Sequence, residues 1–323
     1  MKAIVYTKYG GPDVLHLAEV SKPMPKDDEL LVKIRAVSVN DWDWANLRGV
    51  PKFFRIFSGF KPRQQILGSD IAGVVESIGK NVTKFKPGDE VFGDLSGQWG
   101  GFAEYVCAHE DKLALKSPHM SFEEAAAIPQ AGMLAVQGLI DRGGIKSGQK
   151  ILINGAGGGV GTFGVQIAKT YDNVEVTGVD NTGKLEMMRN IGFDHVIDYT
   201  REDFTRNGNK YDLILDAKSS RSIFDYTRSL SHNGVYATVG GSLSRLFQYM
   251  FLIPLVTMTS KKRARIVILK PNKDLEYMKQ LFDAGKMKVV IDGPYRFEDT
   301  PKVFEIYGRQ EHKGKMVITV NGE

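Results

Sequence analysis

The residues with the clearest chemical meaning form a glycine-rich turn in the middle of the chain. An apolar run over 150–154 leads into glycines spaced as GxxGxxG, and apolar residues at helical spacing follow. The first glycine of such a turn permits a tight bend, the second lets a pyrophosphate approach the backbone, and the third lets the helix pack on the strand. The helix N-terminus adds N–H donors and a partial positive charge. A dinucleotide site is therefore predicted at Gly155, Gly158, Gly159, Val160 and Gly161.

Polar residues after the neighbouring strands bear on which dinucleotide is bound. Asp180 ends the predicted strand 174–179, about twenty residues beyond the glycine turn, and Asn181 follows it. A carboxylate in that position accepts hydrogen bonds from ribose hydroxyls and repels a 2′-phosphate, which favours NAD(H). Gly240 and Gly241 follow the predicted strand 235–239, and we expect both to lie at the same cofactor site.

The elements around these residues alternate between strand and helix patterns. The series opens with a helix start at Ser121, which has a glutamate three residues on. Helical spacing predicts helices over 160–170 and 184–190. Such alternation predicts a parallel sheet with right-handed crossovers. Its strands are predicted at 150–154, 174–179, 196–197, 211–216 and 235–239.

The two ends of the chain have a different, β-rich character. Short apolar runs separated by glycine and proline turns predict strands in both. These strands are predicted at 2–6, 29–37, 71–78, 90–92 and 315–320. We therefore predict domains over 1–122, 123–266 and 267–323, with the last segment returning to the first domain.

Length and composition limit the number of domains, the disulfide bonding and the cellular location that we expect for the protein. Its 323 residues exceed the usual size of one domain and suit two. Cys107 is the only cysteine, so a disulfide within the chain is excluded. The N-terminal MKAIVYTKYGG lacks the apolar region of a signal peptide, and we expect a cytoplasmic protein.

The charge pattern contains one unusual segment. The net charge is +5 and the basic residues are mostly scattered, which suits a ligand that carries phosphates, and no nucleic acid is expected. The exception is the basic cluster 261–265, which follows an apolar stretch over 246–258. That stretch is shorter than the ~20 residues that span a bilayer. A core or dimer-interface position is favoured over a peripheral membrane contact, although apolar residues followed by basic ones also fit a membrane anchor.

Several motifs in a fixed order resemble one enzyme family. They are LGSDIAGVVESIG (67–79), FKPGDEVFG (85–93), GGFAEY (100–105), INGAGGGVGTFGVQIAK (153–169), GFDHVIDY (192–199), YDLILD (211–216), KPNKDLEYMKQLFDAGK (270–286) and HKGKMVITV (312–320). The chain resembles the medium-chain dehydrogenase/reductase superfamily, specifically its zinc-free quinone oxidoreductase branch, which includes the chloroplast-envelope homologues. The resemblance implies an α/β fold in which a Rossmann domain, a doubly wound parallel sheet, is inserted into a β-rich, partly barrel-like (GroES-like) catalytic domain. Family members form dimers or tetramers, and we expect a homodimer.

The resemblance also assigns expectations to single residues. Lys184 and Tyr199 match positions that help hold the 2′-phosphate of NADPH, so use of both NADH and NADPH is expected. Asn40 and Ser69 match ligands of the catalytic zinc in metal-dependent relatives. Asparagine and serine are poor zinc ligands, and no metal is therefore expected. The usual Asp-x-x-Gly turn after 211–216 is altered to Asp-Ala-Lys-Ser.

The segment around residue 40 faces the catalytic cleft in this family. There Asn40 would donate a hydrogen bond to a developing oxyanion, and Asp43 would orient a proton relay or a cofactor hydroxyl. The alternative is that both satisfy backbone groups in a loop. Nearby aromatic residues would form a wall for a planar substrate or, alternatively, pack in the ordinary way. They are Trp42, Trp44, Phe53, Phe54 and Phe57.

The expected absence of a metal narrows the chemistry. Alcohol oxidation then lacks its main activator, whereas hydride delivery to an electron-poor acceptor stays feasible. The predicted function is zinc-independent, NAD(P)H-dependent reduction of quinones or α,β-unsaturated carbonyls. An enoyl-thioester or alkenal reductase is the alternative among enzymes. Outside enzymes, the alternative is a cofactor-binding protein with a role at RNA or at a membrane surface.

Overall fold

The computed structural model describes residues 1–50, 61–241 and 243–320. The strands, in chain order, are β1 (Lys2–Val5), β2 (His16–Glu19), β3 (Glu29–Ser38), β4 (Asp70–Ile78), β5 (Glu90–Asp94), β6 (Tyr105–His109), β7 (Ala114–Leu115), β8 (Lys150–Asn154), β9 (Glu175–Asp180), β10 (His195–Asp198), β11 (Tyr211–Asp216), β12 (Leu230–Thr238), β13 (Arg263–Ile266), β14 (Ile291–Arg296) and β15 (Lys315–Thr319). The helices are α1 (Asp41–Arg48), α2 (Phe122–Ala127), α3 (Pro129–Val136), α4 (Gly159–Ala168), α5 (Leu185–Asn190), α6 (Ile223–Arg228), α7 (Leu243–Thr259), α8 (Leu275–Asp283) and α9 (Thr300–Arg309).

The first compact unit comprises the described residues within 1–130, 271–283 and 291–320. Its main sheet has the order β14-β15-β3-β4-β5-β7, and β6 also pairs with β3. Strand β3 is central because it pairs antiparallel with β4, β6 and β15. Leu30, Val32 and Ile34 of that strand are fully buried, so β3 lies in the core of the unit. The β-rich domain predicted for the two ends of the chain is confirmed.

The second compact unit comprises the described residues within 131–270 and 284–290. It contains a six-stranded parallel sheet of order β10-β9-β8-β11-β12-β13. Ile151, Leu152 and Ile153 of β8 are fully buried, as expected for a parallel strand covered on both faces. The order of the strands reverses between β8 and β11. In sheets of this kind ligands bind at the carboxyl ends of the strands beside such a reversal. The predicted Rossmann fold is confirmed.

The boundary between the units falls at Gln130, beyond the predicted domain start at 123. Helix α2 accounts for the difference. It begins with the predicted capping box, in which the Glu124 N–H donates to Ser121 Oγ (3.1 Å) and the Ser121 N–H donates to the Glu124 carboxylate (2.9 Å). The helix then packs on β3, β4 and β15, and so belongs to the first unit.

A second difference concerns residues 284–290, which return to the second unit. The side chain of Gln166 binds the backbone of Lys288 twice, accepting from its N–H (2.7 Å) and donating to its carbonyl oxygen (2.9 Å). These two bonds attach the segment to α4. Side chain to backbone bonds of this kind carry no periodic signal in the sequence.

Candidate functional site

The glycine turn between β8 and α4 has the geometry of a phosphate cradle. Gly155 has φ +81°, a left-handed conformation that suits glycine. A Cβ at Gly161 would stand 2.4 Å from the backbone of Ala156, so the close approach of helix and turn requires glycine there. A Cβ at Gly158, by contrast, would meet only the Gly155 carbonyl oxygen, at 3.5 Å. The open side of the turn therefore lies at Gly158, where α4 begins.

The start of α4 presents backbone amides on this open side. Gly158 is the N-cap and supplies no capping side chain. The first bond into the helix runs from the Thr162 N–H to the Gly158 carbonyl oxygen (3.0 Å), and the amides of Gly159, Val160 and Gly161 precede it. Amides in these positions have no intrahelical acceptor and carry the positive end of the helix dipole. They suit the phosphates of a dinucleotide.

Asp180 and Lys184 are paired beside this turn. The Lys184 ammonium lies 3.6 Å from Asp180 Oδ1, and both side chains are buried. The other carboxylate oxygen, Oδ2, accepts the N–H of Gly157 (2.9 Å). Oδ1 also accepts the N–H of Asn181 (2.9 Å). In the sequence analysis Asp180 favours NADH, whereas Lys184 favours NADPH. In the structure the two side chains form an ion pair, and Asp180 also holds the glycine turn in place.

The remaining predicted cofactor residues lie at the carboxyl ends of neighbouring parallel strands. Tyr199 follows β10, is half exposed, and donates its N–H to the Asp180 carbonyl oxygen (3.1 Å). Gly240 follows β12, and its carbonyl oxygen accepts from Ser219 Oγ (2.5 Å). Gly241 has φ +118° and adjoins Ser219, since a Cβ there would stand 2.3 Å from the Ser219 side chain. The structure therefore brings these residues to the same edge of the sheet as the glycine turn.

Asp216 is a buried hub of this edge that the sequence analysis did not identify. Its Oδ1 accepts from Asn154 Nδ2 at the end of β8 (2.8 Å), and its Oδ2 accepts from the Tyr236 hydroxyl of β12 (2.6 Å). Oδ1 also accepts the N–H of Ser219 (3.0 Å), which has φ 45° in the position where the family turn carries glycine. The sequence did contain a signal for this role, because Asp216 ends an apolar strand. A carboxylate that is buried there needs several hydrogen-bond donors.

In the first unit, Asp43 is fully buried near the start of α1. Its Oδ2 accepts the Asn40 N–H (2.9 Å) and its Oδ1 accepts the Gly68 N–H (2.9 Å). Burial raises the pKa of this carboxyl to about 7, and the two backbone donors oppose the shift. Both oxygens are thus engaged by backbone amides, which corresponds to the alternative interpretation, that Asp43 satisfies backbone groups. The geometry gives it the task of joining α1 to the segment before β4.

Asn40 lies in a buried polar cluster together with Ser69, Asp70 and Lys315. Its Nδ2 donates to Ser69 Oγ (3.2 Å), and its Oδ1 accepts from the Lys315 ammonium (2.5 Å). The same ammonium donates to the Val39 carbonyl oxygen (3.2 Å) and lies 3.6 Å from Asp70 Oδ2. Burial raises the pKa of the Asp70 carboxyl, and the charge of Lys315 opposes that shift. The cluster therefore places one fixed cation between an amide and a carboxylate.

Lys315 and Asp70 are two further residues of the candidate site that the sequence analysis did not identify. Asp70 Oδ2 accepts the N–H of Gln130 as well (3.0 Å), so three distant segments meet at this carboxylate. The motif that contains Asp70 and the motif that contains Lys315 were both recognised, and each has its charged residue directly before an apolar run that forms a buried strand. A charge in such a position is rarely buried unless it is paired, which was the signal that could have linked them.

This cluster does not fit a zinc ion. Asn40 and Ser69, which match zinc ligands of metal-dependent relatives, contact each other, and the Lys315 ammonium binds Asn40. A divalent cation there would meet a like charge at close range and would lack thiolate or imidazole ligands. Within 1–50, 61–241 and 243–320, no three His, Cys, Asp or Glu side chains come together as a metal-binding group.

Of the five residues predicted to form an aromatic wall, the structure describes two, Trp42 and Trp44, and their environments differ. Trp44 packs against Phe304 in the core of the first unit, with ring centroids 6.5 Å apart, so it serves in ordinary packing. Trp42 is about half exposed. Phe53, Phe54 and Phe57 lie outside the described residues.

Comparison with known proteins adds a family to this geometry. Residues 26–119 match a family model described as alcohol dehydrogenase GroES-like domain, and residues 191–318 match one described as zinc-binding dehydrogenase. The chain is 35% identical to 2-methylene-furan-3-one reductase of Solanum lycopersicum, over 98% of this chain and 79% of that protein. It is 33% identical to the chloroplast envelope quinone oxidoreductase homolog of Arabidopsis thaliana, over 91% of each. It is 32% identical to the chloroplastic NADPH-dependent alkenal/one oxidoreductase of the same species, over 98% of this chain and 79% of that protein.

The relatives correct one expectation. Two of these three proteins are named for the chloroplast or its envelope. These names contradict the predicted cytoplasmic location, which is therefore wrong. The prediction failed because a missing secretory signal does not distinguish the cytoplasm from other compartments.

Solved structures agree with the sequence matches. The quinone oxidoreductase from Coxiella burnetii has a TM-score of 0.87 and 26% identity, and the match covers 99% of both chains. Sequence identity above 30% to the three relatives extends over at least 91% of this chain. The chain belongs to the medium-chain dehydrogenase/reductase superfamily, in its zinc-free quinone oxidoreductase branch.

Proposed function

We propose that the chain is a zinc-independent, NAD(P)H-dependent reductase that transfers hydride to quinones or α,β-unsaturated carbonyls. The observation that carries the proposal is the buried Lys315 ammonium, which occupies the cluster of Asn40, Ser69 and Asp70. Without a Lewis acid there, an alcohol is a poor hydride donor, whereas a conjugated carbonyl is already electron-poor. The same chemistry is supported by the names of the relatives, which are a quinone oxidoreductase homolog, an alkenal/one oxidoreductase and a 2-methylene-furan-3-one reductase.

The second unit would hold the dinucleotide. Gly158 leaves open space, and the amides of Gly159, Val160 and Gly161 would bind its phosphates. In the family arrangement, Tyr199 and Lys184 would lie beside the adenosine end of such a ligand. The bound cofactor supplies the hydride, and the protein positions it.

The first unit would supply electrostatic stabilisation. Because Asn40 Oδ1 accepts from Lys315, its NH₂ group must point the other way, where it donates to Ser69 Oγ and also interacts with the Asp70 carboxylate. On substrate binding we assign the N–H that interacts with Asp70 to the oxygen of the acceptor instead, where negative charge develops during hydride transfer. Asp43 and Lys315 act as positioning residues, since each holds the backbone or the amide of Asn40. The resemblance further suggests a homodimer.

Cofactor choice provides a test of the Asp180–Lys184 pair. We expect Asp180→Ser to improve NADPH affinity about tenfold, which corresponds to only ~1.4 kcal/mol. The reason is that the substitution removes a negative charge near the 2′-phosphate and releases the buried Lys184 ammonium from its partner. NADH should bind more weakly, because the ribose hydroxyls lose an acceptor. Fluorescence titration of parent and variant with both cofactors measures the change.

A matched variant isolates the lysine. Lys184→Met in the Asp180→Ser background should abolish the gain in NADPH affinity while leaving NADH affinity unaffected. If the parent already discriminates strongly for NADPH and Asp180→Ser changes nothing, Asp180 does not act at the ribose and the assignment fails.

The proposed function itself is tested with a substrate panel. We expect 9,10-phenanthrenequinone or 2-hexenal to be reduced with a kcat/KM at least a hundredfold above that for benzyl alcohol oxidation. A crotonyl thioester distinguishes the enoyl-thioester alternative, and a chelator should leave the rates unchanged. Rapid alcohol oxidation that a chelator abolishes would contradict the proposal. Tight cofactor binding without turnover of any acceptor would instead favour a binding protein.

A further inference from the structure

Helix α7 has one buried face and one exposed apolar face. Tyr249 is fully buried and Val256 is nearly so, and both belong to the core of the second unit. The core position expected for the apolar stretch 246–258 therefore holds for this face alone. On the other side several large apolar residues are partly or largely exposed, from 44% for Phe247 to 84% for Met258. They are Phe247, Met250, Phe251, Leu255 and Met258.

The exposed residues form a continuous stripe. Phe247, Phe251 and Leu255 are spaced by four residues, and Met258 follows after three, which places all of them along one side of a helix. Solvent-exposed apolar residues normally occur singly, whereas a contiguous patch marks an interaction surface. Among the described residues, no helix is long and apolar enough to cross a membrane. The stripe therefore suits contact with a surface rather than insertion across a bilayer.

The charge around this helix is strongly one-sided. Between Tyr226 and Lys273 the sequence has eight lysines and arginines and no aspartate or glutamate. The rest of the chain holds 35 basic residues against 38 acidic ones, so this segment is the source of the positive net charge. Lys261 and Arg263, directly after the helix, are exposed. The exposed apolar stripe is thus bordered by a cationic segment, whose terminal residues Arg228 and Lys273 pair with the flanking Asp225 and Asp274. The exposed Lys261 and Arg263 lie next to the stripe.

We propose that α7 and the basic residues after it dock on an anionic phospholipid surface. An interfacial helix buries its apolar side among lipid headgroups and acyl chains while adjacent lysines and arginines bind anionic headgroups. The exposed Phe251 and Met258 next to Lys261 and Arg263 match this pattern.

Two other partners fit the same surface less well. A second copy related by a two-fold axis would bring this patch against itself, and so would place like charges opposite each other. RNA would pair with the basic residues but would leave Phe251 and Met258 exposed, because phosphate contacts need no aliphatic stripe.

Sedimentation with sucrose-loaded vesicles tests the proposal on the full chain. We expect at least tenfold stronger binding to vesicles of phosphatidylcholine with about a quarter phosphatidylglycerol than to phosphatidylcholine alone. Phe251→Ser/Met258→Ser should reduce binding to the anionic vesicles at least tenfold. Lys261→Gln/Arg263→Gln should reduce it as well, and about 0.5 M salt should weaken binding of the parent.

Matched controls change the same chemistry elsewhere. Met24→Ser alters a methionine that is 87% exposed in the first unit and should leave vesicle binding unchanged. Lys8→Gln/Lys146→Gln removes two exposed charges outside the segment and should have little effect. Absence of binding to anionic vesicles, or equal losses in the controls, would overturn the proposal. So would dimers that Phe251→Ser/Met258→Ser converts to monomers without any vesicle binding, or retention on RNA that depends on Lys261 and Arg263 alone.

Discussion

We expect Gly158→Asp to lower the affinity for NADH and NADPH at least a hundredfold in a protein that still folds. A hundredfold loss corresponds to about 2.7 kcal/mol, which is the scale of one charge repulsion in partly screened surroundings. The carboxylate would stand at the N-terminus of α4, where the cofactor phosphates need the amides. The fold tolerates the change because a Cβ there meets only one atom at 3.5 Å and the backbone is extended. Aspartate is moreover a preferred N-cap residue.

Gly158→Asn is the matched control for charge. Asparagine has nearly the same shape as aspartate and is an equally good N-cap residue. The Gly158→Asn variant should therefore bind cofactor at least tenfold more tightly than Gly158→Asp. Cofactor affinity is measured by fluorescence titration, and the melting temperature reports on the fold. Unchanged cofactor affinity in folded Gly158→Asp would remove the turn from the binding site.

Strands bounded by clear turns were predictable in detail. The limits 150–154 and 211–216 are those observed for β8 and β11, because each is an apolar run between polar residues. Strand β12 begins at Leu230 rather than at the predicted 235. Its first part passes through a polar stretch in which Asn233 has φ 68°, so neither hydrophobic period nor strand propensity marks it.

Helix α1 was missed although its signals are local. The Asn40 N–H donates to the Asp43 side chain at its start, and Gly49 ends it with φ 56° in the left-handed conformation. The segment was interpreted as a cleft loop because its weakly apolar sequence gives no helical stripe. Capping residues were thus more informative there than hydrophobicity.

The buried polar cluster could not be predicted, for a different reason. Lys315 and Asn40 are separated by 275 residues and meet only because β15 pairs with β3. No local pattern encodes such a register. The glycine turn was predictable because all its residues lie within one strand, turn and helix. The sequence therefore predicted the residues of the glycine turn in more detail than those of the buried polar cluster in the first unit.

Lys315→Met should lower the free energy of unfolding by about 3–5 kcal/mol at pH 8, because removing one partner leaves a buried charge unpaired. The unpaired group is Asp70, which is fully buried, and the Asn40 amide and the Val39 carbonyl would also lose a donor. The destabilisation should be smaller near pH 5.5. Without the lysine the carboxyl pKa rises further, so protonation at lower pH removes the buried charge. Urea unfolding at the two pH values measures the effect.

A double-mutant cycle separates the ion pair from the loss of packing. Asp70→Asn keeps an oxygen that can accept the Gln130 N–H. The double variant Lys315→Met/Asp70→Asn should lose about 2 kcal/mol less stability than the sum of the losses in the two single variants. Lys116→Met is the matched control, since that buried lysine pairs with Glu90 (2.9 Å), whose side chain is 45% exposed and can be hydrated. Its cost should therefore be lower and nearly independent of pH. Additive effects in the cycle would show that Asp70 is already protonated at pH 8, and the cluster would then hold no ion pair to orient Asn40.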